Sequence, residues 1–121
     1  MDLTKIDSTI ENICANDIRY HENAYHNIFN ALAYCETVMK TEKNLTAKDL
    51  AIGYRDITLS KYGALALEVL NHWGINSTRD IGNIVFNLVN ANLLGRSPGD
   101  TIEDFNNLFD LIQEMESPYF G

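Results

Sequence analysis

The sequence predicts a mainly helical single domain of five to six helices. Apolar residues recur at helical spacing along most of the chain, and residues that favour helix starts precede several of these stretches. Both prolines, Pro98 and Pro118, lie beyond the main body of the sequence. With 121 residues and 45% hydrophobic composition, the chain is long enough to bury one core. We therefore treat residues 1–121 as one domain.

The N-terminal part, residues 1–43, is predicted to form a pair of helices. The first spans about 4–15, where the helical spacing joins Leu3, Ile6, Ile10 and Ile13. The second spans about 22–41 and carries a longer apolar stripe of Ala24, Tyr25, Ile28, Phe29, Leu32, Cys35 and Met39. The polar residues 41–44 then predict a loop.

Three helices follow in the next part, residues 46–115. The third helix begins after Thr46, which forms a weak capping-box pattern with Asp49, and ends near residues 62–63. The fourth covers 64–73 and ends at Gly74, which suits a left-handed cap. The fifth begins at Ser77 or Thr78, with Asp80 near its positive end, and spans about 78–92.

The C-terminal segment allows two interpretations. Residues 96–100 predict a turn, and Thr101 with Asp104 suggests the start of a sixth helix over 101–115. The alternative is a short β-hairpin, a wing, with strands at 93–96 and 103–107. Because helices three to five precede this segment in the order of a winged-helix domain, we expect residues 46–115 to be winged-helix-like.

Two motifs carry a resemblance to a known family. They are His72-Trp73-Gly74-Ile75 and the run Ile-Val-Phe-Asn-Leu-Val over 84–89. Together with Arg19-Tyr20, Arg55-Asp56 and Glu103-Asp104-Phe105, they resemble an uncharacterised family of small bacterial proteins, over most of residues 19–105. The resemblance implies a shared fold and no known activity.

The net charge and the hydropathy of the sequence disfavour two classes of partner, nucleic acids and membranes. Nine Lys and Arg against seventeen Asp and Glu give a net charge of −8, which disfavours a nucleic-acid binder that relies on phosphate contacts. No apolar run approaches the ~20 residues of a membrane span, and the N-terminus lacks a signal-peptide pattern. We expect a cytoplasmic protein without a membrane partner.

No pattern for catalysis, a metal or a cofactor is present. Cys14 and Cys35 are expected to be packed thiols, with a disulfide as the less favoured alternative. His21, His26 and His72 lack the spacing of a zinc site, so we interpret them as surface or capping residues. No nucleophile motif or phosphate-binding loop occurs, and we expect no enzyme, no metal and no cofactor.

The first candidate site is an interaction surface. A polar stripe on the fifth helix consists of Arg79, Asn83, Asn87 and Asn90. Arginine and asparagine side chains can read guanine and adenine edges, although an ordinary solvated face is the favoured interpretation. Tyr119 and Phe120 are the apolar residues of the C-terminal segment that we expect to be available for an interface.

The second candidate site is a pocket floored by Trp73. Arg55, His72, Asp80 and Asp104 could converge there. The favoured structural alternative makes Trp73 a core anchor and places both aspartates at helix starts.

These observations favour a non-enzymatic regulatory or adaptor module that acts through a protein partner or self-association. The alternative is a sequence-specific DNA-binding regulator that uses helix 78–92. A small-ligand binder or enzyme built around Trp73 comes third.

Overall fold

Six α-helices and two short 3₁₀ segments make up the part of the chain that the structure describes. The structure is a computed structural model that describes residues 3–38, 45–95 and 101–120, with side chains for 4–38, 45–95 and 101–118. The helices are α1 (Leu3–Asn16), α2 (Glu22–Thr37), α3 (Ala47–Tyr62), α4 (Ala66–Trp73), α5 (Thr78–Asn90) and α6 (Leu111–Phe120). The 3₁₀ segments are Gly63–Leu65 and Ile102–Phe105.

Several sequence predictions lie outside the described residues. They are the end of the second helix beyond residue 38, including Met39, the loop at 41–44 and the turn at 96–100. The side chains of Leu3, Tyr119 and Phe120 also lie outside the described part.

The predicted starts of α3 and α5 are confirmed by their caps. Thr46 Oγ1 accepts a hydrogen bond from the Asp49 amide at 3.0 Å, and the Asp49 carboxylate accepts one from the Thr46 amide at 3.1 Å. The Asp80 carboxylate accepts from the Ser77 amide at 3.1 Å at the start of α5. Gly74 ends α4 in the left-handed conformation with φ 89°. These local signals set the helix boundaries because they satisfy backbone groups that lack partners within a helix.

The core is centred on α2 and α3, which pack closely. An added Cβ on Gly53 would lie 2.6 Å from Cys35 Sγ, so glycine is required for this approach of the two helices. Buried polar groups in the same interface are satisfied: Tyr54 donates to the Ala24 carbonyl at 2.9 Å, and Asn27 donates to Thr58 at 2.9 Å. Among the described residues, no buried side-chain nitrogen or oxygen lacks a hydrogen-bond partner, so tight packing does not leave polar groups unsatisfied.

The prediction of one helix over 101–115 is wrong. The chain instead forms the 3₁₀ segment Ile102–Phe105, becomes extended at Asn106 (ψ 131°), adopts a positive φ of 51° at Asn107 and begins α6 at Leu111. The buried Thr78 hydroxyl explains the break. It donates to the Phe105 carbonyl at 2.6 Å and accepts from the Leu108 amide at 3.3 Å. Both backbone groups are thereby taken away from a continuous helix.

The alternative hairpin is not supported either, because no β-strand occurs in the described ranges. The amides of Leu93 and Leu94 both donate to the Leu88 carbonyl, at 3.0 and 3.4 Å, and so finish the end of α5 instead of starting a strand. The expected second strand is occupied by the 3₁₀ segment Ile102–Phe105 and the turn after it. Without strands to form a wing, the winged-helix-like description of residues 46–115 is not supported.

An ion pair attaches α6 to α3. Arg55 Nη1 lies 3.0 Å from Glu114 Oε1, and the guanidinium carbon stands 5.4 Å from the centroid of the Phe109 ring. Leu111 and Met115 bury the apolar side of α6 in the core. Among the described helices, none is long and apolar enough to cross a membrane.

We expect Gly82→Ala to destabilise the fold. A Cβ at position 82 would lie 2.7 Å from both Cβ and Cγ of Phe105. Overpacking of this kind costs about 1–3 kcal/mol, against roughly 1 kcal/mol that alanine gains over glycine inside a helix. Because the clash involves the rigid base of the Phe105 side chain, we expect a net loss of about 1–2 kcal/mol in urea unfolding.

Gly95→Ala is the matched control, since nothing lies within 4 Å of the added Cβ. Its stability should stay within about 0.5 kcal/mol of the original. Equal stability of the two variants would contradict the close approach of α5 to Phe105.

Candidate interaction surface

The connection between α1 and α2, residues 17–21, is held in shape by Asp17. Its carboxylate accepts hydrogen bonds from the Arg19 amide at 3.2 Å and from the guanidinium Nε and Nη2 at 2.9 and 2.7 Å. The bonds from Arg19 hold the pKa of the Asp17 carboxyl well below its usual range, against an opposing effect of burial. The connection is therefore a tight, charged turn.

Tyr20 fastens this connection to α5. Its hydroxyl donates to Asp80 Oδ1 at 2.6 Å and accepts from Asn83 Nδ2 at 2.8 Å. Burial, reinforced by the neighbouring Asp80, raises the pKa of Tyr20 well above its usual range. The phenol thus stays protonated and remains a donor to the carboxylate that also caps α5.

Two residues of the polar stripe on α5, Asn83 and Asn87, face this connection instead of lying open to solvent. Asn87 Nδ2 donates to Asp17 Oδ2 and to the Tyr25 hydroxyl, both at 3.0 Å. Arg79 donates to Asn83 Oδ1 at 3.2 Å and to Asn106 Oδ1 at 3.0 Å. Asn90 is exposed and lines a shallow groove of about 320 Å³ between α1 and α5. Three of the four stripe residues therefore serve contacts within the chain.

The residues of the predicted Trp73 pocket have separate partners. Arg55 pairs with Asp56 at 2.8 Å and with Glu114, while Asp104 accepts from the Thr101 amide at 2.9 Å. Trp73 is buried with its ring edge-on to Tyr62 at 5.7 Å between centroids. The groove beside His72 and Trp73 is lined by none of Arg55, Asp80 or Asp104. The structure therefore places Asp104 at a helix start, Arg55 in ion pairs and Trp73 in the core.

Two surface grooves meet at His72, at the end of α4. One, of about 500 Å³, runs along the α1–α2 connection, and the other, of about 290 Å³, runs along α4. The His72 and His21 rings lie 5.4 Å apart between centroids, and the His21 amide donates to the Trp73 carbonyl at 3.1 Å. We call this surface the His72 face and define it by Ile18, His21, Glu22, Leu65, Glu68, Val69 and His72.

Two aliphatic side chains of the His72 face are open to solvent. Ile18 is 90% exposed and Leu65 is 58% exposed. Neither side chain is among the residues predicted from the sequence. Ile18 is a lone apolar residue between Asp17 and Arg19, and this position in a polar turn was the available signal. Leu65 gave no such signal, because its exposure depends on the 3₁₀ segment that precedes α4.

The titratable groups near this face have structural roles. His21 Nδ1 accepts from the Asn23 amide at 3.0 Å, which confirms the expected capping role. The Cys14 thiol donates to the Tyr20 carbonyl at 3.6 Å, and burial raises the pKa of Cys14, which disfavours the reactive thiolate. Among the described residues, no group of three His, Cys, Asp or Glu side chains could hold a metal ion.

Tyr20→Phe should destabilise the protein by about 1–2 kcal/mol, because it removes a hydrogen bond to a carboxylate and leaves Asn83 Nδ2 without its acceptor. Tyr34→Phe is a matched control. The Tyr34 hydroxyl donates to Asp56 Oδ2 at 3.1 Å in a half-buried position, and Asp56 keeps Arg55 as a partner. Equal losses for the two variants in urea unfolding would show that Tyr20 has no special role in joining the segments.

Asp17→Asn should produce a pH-dependent loss of stability. The pKa of Asp17 is lower in the folded state than in the unfolded chain, so its contribution is present above the unfolded value, near 3.9, and is lost as pH falls through the folded value. Since Arg19 is exposed over 56% of its side chain, we expect only about 1 kcal/mol at pH 7. Urea unfolding from pH 7 downward should show the difference shrinking below about pH 4.

Glu11→Gln controls for the general effect of removing one negative charge, because Glu11 lies exposed on α1. A difference between Asp17→Asn and the parent chain that does not change with pH would argue against the Asp17–Arg19 interaction.

No protein-family model matches the chain, and neither a curated protein nor a solved structure matches it. The resemblance to a family of small bacterial proteins therefore rests on its motifs alone.

Proposed function

We propose that this chain is a non-enzymatic regulatory or adaptor module that acts through protein contacts at the His72 face. The observation that carries the proposal is the exposure of Ile18 and Leu65 beside two grooves that share His72. Single exposed aliphatic residues are common on protein surfaces. Two of them beside adjoining grooves form a partly apolar surface that a partner could cover.

The residues around the His72 face hold it in a fixed shape, which supports a role in recognising a partner. The connection that carries Ile18 is fixed by the Asp17–Arg19 bonds and by the Tyr20 hydroxyl. The end of α4 is fixed by Gly74, where an added Cβ would clash with the Arg19 carbonyl. A surface already held in its binding shape loses little conformational entropy on association.

The DNA-binding alternative receives no support from the position of the α5 stripe. Asn83 and Asn87 already donate to Tyr20, Asp17 and Tyr25, so reading base edges would require those bonds to break. The net charge of −8 also disfavours contact with phosphates. We therefore place the proposed contact on α4 and the α1–α2 connection.

The test compares proteins captured by the original chain and by an Ile18→Ser, Leu65→Ser variant after nuclease treatment. We expect the variant to lose capture of the specific partner by about tenfold, since two anchors of the contact are removed. Quantitative mass spectrometry of the captured proteins gives the measurement, and sedimentation velocity detects self-association. The variant should unfold like the parent because both side chains are exposed.

Val38→Ser is the matched control, as Val38 is also exposed (61%) and lies at the opposite end of α2 from His21. It should capture the same proteins as the parent. Unchanged capture and self-association by the Ile18→Ser, Leu65→Ser variant would overturn the proposal, and capture that disappears with nuclease would favour nucleic acid.

A further inference from the structure

We propose that the partner of the His72 face is a basic amphipathic helix of another protein. This inference rests on the proposed function and adds the chemistry of the partner. Its apolar side would cover Leu65 and Val69, with Ile18 at one end, and its Lys or Arg side chains would meet Glu22 and Glu68.

The shape of the apolar surface favours a helix. Glu68, Val69 and His72 have the spacing of one face of α4, and Leu65 ends the 3₁₀ segment directly before that helix. All four line the groove of about 290 Å³ along α4. A partner helix can lie beside such a row, placing its own apolar residues between those of α4.

The charge of the grooves favours a basic partner. Among the described lining residues, Arg19 is the one Lys or Arg, and Asp17 already binds it through two nitrogens, at 2.9 and 2.7 Å. Glu22 and Glu68 are exposed, and no described cation forms an ion pair with either. The face therefore presents uncompensated negative charge around apolar side chains.

A second copy of this chain fits the face less well. A two-fold contact through the His72 face would gather Glu22 and Glu68 of both copies in one interface, with Arg19 engaged on both sides. Like charges brought together in this way oppose association. A basic helix meets the same carboxylates with opposite charge.

The test uses a synthetic leucine–lysine peptide with leucines at helical spacing, and a leucine–glutamate peptide of the same pattern. Binding to the full chain is followed by peptide fluorescence anisotropy and by the fluorescence of Trp73, the one tryptophan, which lines the α4 groove. We expect the lysine peptide to bind with an affinity that falls as salt rises, and the glutamate peptide to bind at least about tenfold more weakly.

Two pairs of variants separate local from general attraction. Glu22→Gln with Glu68→Gln should weaken binding of the lysine peptide by about tenfold. Glu36→Gln with Glu116→Gln removes the same total charge from exposed residues outside the face and should change binding less than about twofold. Leu65→Ser should also weaken binding, whereas Val38→Ser should not.

Each remaining outcome overturns the inference. Equal effects of the two glutamate pairs would mean general attraction to an acidic protein, and equal binding of both peptides would mean that charge is irrelevant. Sedimentation showing a dimer that Leu65→Ser dissociates would assign the face to a second copy. If the lysine peptide fails while capture still depends on Ile18 and Leu65, the inference fails and the proposed function stands. If capture does not depend on those residues, the proposed function fails whatever the peptide does.

Discussion

The rest of the structure depends on the Tyr20 hydroxyl, because its hydrogen bonds join the α1–α2 connection to α5. It donates to Asp80 and accepts from Asn83, so one phenol links the α1–α2 connection to the first two turns of α5. The other oxygen of Asp80 accepts from the amides of Asn76 and Ser77, at 2.8 and 3.1 Å. A single carboxylate thus starts α5 and anchors the connection that carries Ile18. Because the same connection passes over Gly74, it also sets the position of the end of α4 and of His72.

The sequence was sufficient to predict the helices whose ends are determined by neighbouring residues. Thr46 with Asp49 begins α3, and Gly74 ends α4, because each satisfies backbone groups within a few positions. The C-terminal segment could not be predicted in this way. Ile102, Phe105, Phe109 and Ile112 have helical spacing, yet the conformation there follows from Thr78, which lies far away in sequence and binds the backbone on both sides of Asn106. Gly82 leaves room for Phe105. A glycine within a helical pattern indicates close packing, but the sequence does not identify the residue that packs against it.

The candidate site shows the same division between local and long-range causes. Spacing correctly places Arg79, Asn83 and Asn87 on one face of α5, but their polarity suggests solvent, whereas Tyr20, Tyr25 and Asp17 meet that face. These partners are separated from the stripe by more than half the chain, so no local pattern reveals them. The five residues of the predicted Trp73 pocket have separate positions in the structure, and only His72 and Trp73 line the groove along α4. Asp80 and Asp104 lie at helix starts, Arg55 pairs with Asp56 and Glu114, Trp73 is buried in the core, and His72 lines the surface grooves.

Because α2 and α3 pack closely around Cys35, the reactivity of this thiol reports on the separation of the two helices. Cys35 is buried, its sulfur lies against Gly53, and burial raises the pKa of the thiol to about 11. An alkylating reagent can reach that sulfur only after the two helices have separated, and it reacts with the thiolate. The rate of alkylation at Cys35 therefore follows the free energy of separating α2 from α3, whereas the less buried Cys14 responds to movements nearer the surface. The alkylation rates of Cys35 and Cys14 therefore report separately on the opening of the core and on movements nearer the surface.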